Sequence, residues 1–110
     1  MAFSRTKNLF DGVLTGSLAN TYVSPAGTTT VITSAVVCNT TGGVINLTLA
    51  TIARTAGAAR TIIDNRPLAD EFSDLVPEVR GEVLEPGGAI QGQGNGLTIV
   101  LRGLQIVQSV

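Results

Sequence analysis

The chain has no histidine, no tryptophan, one cysteine and one lysine in 110 residues. Without histidine the Ser-His and Cys-His arrangements are gone, and so are the commonest general base and the commonest metal ligand. The lone lysine, Lys7, lies near the start in a segment of no clean periodicity. That is a poor setting for a Schiff base or a general base. Cys38 can form neither an internal disulfide nor a thiolate metal site within one chain. It stands among apolar residues and is expected to be buried and inert. Aromatics are scarce, at three Phe and one Tyr. A carboxylate-pair glycosidase or a sugar-binding module therefore lacks stacking platforms. No catalytic residue, cofactor or metal site is assigned, and the chain is not expected to be an enzyme.

Charge is also thin. Only 14% of the residues are charged, against about 25% in an average soluble domain. The expectation is a homo-oligomer or a partner-covered surface. The plain alternative is a β surface covered by Thr, Ser, Asn and Gly. The formal net charge is −1 and no basic stripe is present, so nucleic acid is not an expected partner. The first ten residues lack the apolar core of a signal peptide. No stretch approaches the roughly 18 apolar residues of a membrane span, so neither is a membrane. The length fits one domain.

What is present is alternation. Thr28 to Arg54 carries two runs rich in Val, Ile, Leu and Thr around Asn39-Thr40-Thr41-Gly42-Gly43, which reads as a β-hairpin. In the first run Ile32, Val36 and Cys38 alternate with Val31, Thr33, Ala35 and Val37, and both faces are largely apolar. In the second, Leu47 and Leu49 are expected in the core, with Asn46 and Thr48 facing out. Ser24-Pro25-Ala26-Gly27 predicts a turn. Val13–Ser24 reads as one or two short strands, Arg60–Asp64 as another, and Ala89–Gln93 as a further one. Gln91-Gly92-Gln93-Gly94-Asn95-Gly96 leads into no helix with a Lys-Ser/Thr pair, so it is read as a hairpin turn and not a phosphate loop. Along Leu97–Val110 the apolar phase changes at Arg102-Gly103, the pattern of a β-bulge in that strand.

Seven of the eight acidic residues fall between Asp64 and Glu85. Leu68, Phe72 and Leu75 have helix-like spacing between Pro67 and Pro77, which predicts one helical turn or an ordered loop. Asp70, Glu71 and Asp74 could attract Ca²⁺, but no EF-hand spacing is present, and a solvated acidic loop, an insertion around 64–80, is the simpler reading. Residues 1–12 are read as an N-terminal arm, with a frayed terminus as the alternative. Phe3, Arg5, Lys7, Leu9 and Phe10 are its candidate partner-binding residues. Residues 13–110 would then form an all-β, single-domain sandwich or jelly roll of about seven to nine short antiparallel strands.

Three phrases carry a resemblance: Tyr22-Val23-Ser24-Pro25-Ala26-Gly27-Thr28-Thr29-Thr30-Val31-Ile32, Val37-Cys38-Asn39-Thr40-Thr41-Gly42-Gly43 and Leu84-Glu85-Pro86-Gly87-Gly88-Ala89-Ile90. Together they resemble small jelly-roll virion proteins of tailed bacteriophages, above all the capsid cement (decoration) proteins, over roughly Asn20 to Val107. The resemblance implies a structural role in the virion, contact with the major capsid protein or other virion proteins, and homo-oligomers, most often trimers. Neck, tail and fibre components share similar sandwiches, and a host-glycan module is the alternative from another class. The motif names no functional residues, and the acidic stretch lies outside what it explains.

Overall fold

The computed structural model describes the backbone of residues 2–108 and the side chains of residues 4–107. Among the described residues nine strands run in order: β1 (Ala2–Val13), β2 (Ala19–Val23), β3 (Thr28–Cys38), β4 (Ile45–Ile52), β5 (Ala59–Leu68), β6 (Ser73–Asp74), β7 (Val83–Leu84), β8 (Ala89–Gln93) and β9 (Thr98–Gln108). A single 3-10 turn, Pro77–Val79, separates β6 from β7. One sheet has the order β1-β9-β3-β6, with β7 also on β3; the other has the order β2-β8-β4-β5. All pairings are antiparallel. The chain is an all-β sandwich, as its alternating pattern predicts.

The central strand of the first sheet, β3, shows why these residues extend. Eight of its eleven residues are Thr, Val or Ile, whose branched Cβ suits a pleated surface better than a helix. Its inner-face residues meet Leu47, Leu49, Ile63, Ile90, Leu97, Ile99 and Leu101 in one core. Each fully buried aliphatic side chain contributes about 1.5–3 kcal/mol. Leu47 and Leu49 are buried while Asn46 is exposed and Thr48 half-buried, in the predicted phase.

The hairpin expected across Asn39–Gly43 is not one. β3 pairs with β9, β6 and β7, whereas β4 pairs with β5 and β8. The connection is an arch that carries the chain from one sheet to the other. Asn39 decides this. It is fully buried, and its Nδ2 donates to the carbonyls of Gly43 and Leu68, both at 2.8 Å. Its Oδ1 accepts from the Thr41 backbone N–H at 3.0 Å and the Thr41 hydroxyl at 2.7 Å. A side chain so engaged closes the arch internally, so no β3–β4 ladder is needed to satisfy its polar groups. Gly42, at φ 95°, supplies the left-handed step. The glycine-rich segment before β9 is likewise a crossover from β8 in one sheet to β9 in the other. Among the described residues the hairpin between neighbours in sequence is β4–β5.

Two further expectations are corrected. The extra residue at Arg102-Gly103 is not in β9, which keeps one phase with Leu97, Ile99, Leu101, Gly103 and Gln105 all buried. The bulges lie opposite that step, at Leu9 in β1 and Thr33 in β3, where the register shifts between Asn8 and Phe10 and between Ile32 and Ser34. The bulge at Thr33 moves Ala35 and Val37 onto the inner face with Ile32 and turns Val36 and Cys38 outward. Cys38 is therefore only half-buried, and its Sγ accepts a hydrogen bond from Ser73 Oγ at 3.4 Å.

Candidate functional site

β1, the segment read as an arm, lies along β9 from Ala2↔Gln108 to Val13↔Thr98 and forms the edge of its sheet. The five residues proposed to bind a partner divide by face and burial. The Phe3 side chain lies outside the described residues. Arg5 and Lys7 are exposed, and Arg5 Nε donates to Gln105 Oε1 at 3.2 Å. Leu9 and Phe10 are half-buried and pack against the core.

Behind Arg5 the polar side chains form a chain between the sheets. Gln105 Nε2 donates to the Tyr22 hydroxyl at 2.9 Å, which meets Thr30 Oγ1 at 2.9 Å. Ser24 Oγ lies 2.9 Å from Thr30 Oγ1 and donates to the Thr28 carbonyl at 2.8 Å. Gln105, Thr30 and Ser24 are each no more than 2% exposed, so these bonds remove what would otherwise be a costly set of unpaired groups. No buried side-chain polar atom among the described residues lacks a partner. The network ties β9 to β2 and β3 through side chains alone.

The paired bulges adjoin a different feature of the β1-β9-β3 sheet. A shallow depression of about 350 Å³ is lined by Thr6, Lys7, Asn8, Thr33, Ser34, Arg102 and Gly103. Its lining includes two cations, three hydroxyls and an amide, and no carboxylate. Among the described residues neither Lys7 nor Arg102 makes a salt bridge. The partly buried Val31, Val36, Val100 and Leu104 lie on the outer face of the sheet with Arg102. The sequence marked Lys7 and the Arg102-Gly103 step separately. The register sets Lys7 opposite Gly103, in the inward phase of β9, and Arg102 opposite Asn8 and Ser34 on the outer face.

The acidic stretch runs from β5 through β7, and β6 and β7 flank β3 on the side away from β9. Asp70 Oδ1 accepts the Gly42 N–H at 2.9 Å, and Asp74 Oδ1 accepts the Val76 N–H at 2.9 Å. Arg66 reaches from β5 to Asp74 at 3.1 Å and to Glu78. The hydrogen bond from Arg66 holds the Glu78 carboxyl below the usual carboxylate range, and Glu78 and Asp74 raise the Arg66 guanidinium. Arg54 pairs with Glu85 at 2.7 Å on the exposed surface. The helix-like spacing of Leu68, Phe72 and Leu75 does not produce a helix there: Leu68 is buried at the end of β5, while Phe72 and Leu75 are 54% and 62% exposed. The helical turn comes later, at Pro77–Val79, where Pro at the first position is pre-set for it. Among the described residues no group of three or more Cys, Asp or Glu is arranged to hold a metal ion.

No protein-family model matches this sequence. No curated protein matches it either. The fold does have counterparts. It is similar to a chain in the crystal structure of the T13 infectious bursal disease virus particle, with TM-score 0.51 and 10% identity over 97% of this chain. It is similar at TM-score 0.50 and 13% identity, again over 97%, to a chain in the structure of the Gx strain of that virus. This chain spans about a third of the length of each, 30% and 33%. At such identity the likeness is one of fold.

Proposed function

We propose that this chain is a structural subunit of a viral particle, and within that role a cement or decoration subunit that binds the assembled shell. The observation that carries the reading is the fold: nearly the whole chain superposes on part of a chain from an icosahedral virus particle. Its surface supports the same role. Val13, Leu18, Val23, Val44, Phe72, Leu75 and Val83 are all more than 40% exposed, on a chain with little charge. Such a surface is suited to burial against neighbours.

The mechanism is mass action. A subunit that binds the assembled shell and not the free coat protein shifts the balance toward assembly. Many copies of a modest contact sum to a large stabilisation. The test is co-sedimentation of the purified chain with assembled shells of its virus and with unassembled coat subunits. Saturable binding to shells, with a raised shell melting temperature, is expected. Equal binding to free subunits, or saturable micromolar binding to a glycan in place of shells, would overturn the reading.

A further inference from the structure

We infer that the outer face of the β1-β9-β3 sheet packs on the same face of a second copy, a two-fold dimer in which Arg102 of each copy meets Asp11 of the other. The two outer faces of the sandwich differ in kind. That of the β2-β8-β4-β5 sheet carries Asn20, Asn46, Thr48, Gln91 and Gln93, and Gln91 Nε2 donates to Asn20 Oδ1 at 3.1 Å. Amides and hydroxyls suit a sheet face that stays in water. The first sheet is the reverse. Val31, Val36, Val83, Val100, Leu104 and Ile106 turn outward, because the residues alternating with them are buried. Val83 is 53% exposed, and the described strands form only two layers, so no third layer covers this face.

The register places two charged side chains on the apolar face. Arg102 stands opposite Asn8 and Ser34, and Asp11 stands opposite Val100. Both are exposed, and neither makes a salt bridge among the described residues. Arg5 and Lys7 are in the inward phase of β1, opposite the buried Gln105 and Gly103. Glu82 stands at the rim, where its carbonyl accepts the Ile32 N–H.

One cation and one anion are enough to fix how two such faces meet. A two-fold axis running across the strands at Leu101 sets Arg102 of one copy over Val100 of the other. Asp11, paired with Val100 on β1, is then one strand away, about 4.8 Å to the side. Symmetry repeats the pair, so the charges of both copies are matched. The same axis lays Leu104 over Thr98, beside the exposed Val13. Eleven-residue strands in a face three to four strands wide cover roughly 600 Å² on each copy. That reaches the lower end of specific interfaces. An isologous contact closes at two copies.

Dimerisation through this face is independent of the shell reading. The experiment is sedimentation equilibrium of the full chain over a concentration series, alongside Leu104→Asp, Arg102→Asp and Asp11→Arg. The wild type is expected to pass from monomer to dimer and no further. Leu104→Asp puts an unpaired carboxylate in the apolar face, and each charge variant sets like charges together. Each is expected to weaken dimerisation at least about tenfold while keeping the far-ultraviolet spectrum of the wild type. An equimolar mixture of Arg102→Asp with Asp11→Arg is expected to restore the dimer, because every like pair becomes an unlike pair. The charge variants sit at exposed positions and decide the question even where Leu104→Asp does not fold. A wild type monomeric throughout, an assembly larger than two, charge variants that dimerise like the wild type, or a mixture that fails to recover would each overturn the inference. A monomeric wild type whose binding to assembled shells is lost in Leu104→Asp would assign the face to the coat protein, so the shell reading would stand and this one fall. A chain that dimerises but never binds shells does the reverse.

Discussion

At Gly103 the space for a side chain is decided by two strands at once. A Cβ there would meet the Val31 carbonyl oxygen at 2.5 Å and Leu9 Cδ1 at 2.8 Å. The carbonyl belongs to a paired strand and cannot move without disturbing the β3–β9 ladder. Gly103→Val is therefore expected to cost more than about 1 kcal/mol, in the range of overpacked cores. That lowers the melting temperature by at least about 4 °C; an unchanged thermal transition would show that the site is not close-packed. Val76 is the converse case, a β-branched residue at φ 41° with its side chain completely buried. Left-handed backbone costs such a residue about 1–2 kcal/mol. Val79, three residues on, is equally buried but sits in the 3-10 turn. Glycine at either position loses a buried valine, but only at position 76 does it also relieve strain. Val76→Gly is expected to cost at least about 1 kcal/mol less than Val79→Gly. Equal losses by chemical denaturation would remove the strain argument.

Between elements, the acidic stretch is organised by one cation. Arg66 on β5 joins Asp74 on β6 and Glu78 on the 3-10 turn, bridging segments from the two sheets. Because Glu78 titrates lower in the folded chain than unfolded, its contribution is fully present above the ordinary carboxylate pKa of about 4.3. It is lost as pH falls through the lowered folded value. Arg66 stays charged over the whole range. The Arg66–Glu78 pair is about one-third exposed on both sides, which limits its worth to about 1 kcal/mol or less. Glu78→Gln is therefore expected to be slightly destabilised at pH 7, with the gap to the wild type narrowing as the pH falls through the acid range. A gap that stays constant across an acid pH series, read by urea titration, would mean the carboxylate does not act through its charge.

Across the whole molecule, the strands of the first sheet set the shape. β1, β9 and β3 are 11 or 12 residues long, while β2 and β8 of the facing sheet have five each, and the Cα trace extends 49 × 26 × 18 Å. Part of the long sheet therefore has no facing strand, which is why Arg5 and Lys7 are exposed although their partners in β9, Gln105 and Gly103, are buried. Net charge close to zero conceals an uneven distribution: Arg5, Lys7 and Arg102 at the β1–β9 side, and most carboxylates across the molecule beyond β3. A molecule with unlike flanks is suited to directional contacts.

The alternation of Val, Ile, Leu and Thr determined by itself that the chain is all-β, that Leu47 and Leu49 are core residues, and that Ser24–Gly27 turns. Those are period-two and local steric properties, contained in a few neighbouring residues. Which strand lies beside which was decided only by tertiary structure. The Asn39–Gly43 segment has the composition of a hairpin, yet the Asn39 amide satisfies itself across an arch and sends β4 to the other sheet. The bulges at Leu9 and Thr33 are invisible in their own strands, because an extra residue exists only relative to a partner. From that relation follow the outward turn of Cys38 and the crowding at Gly103.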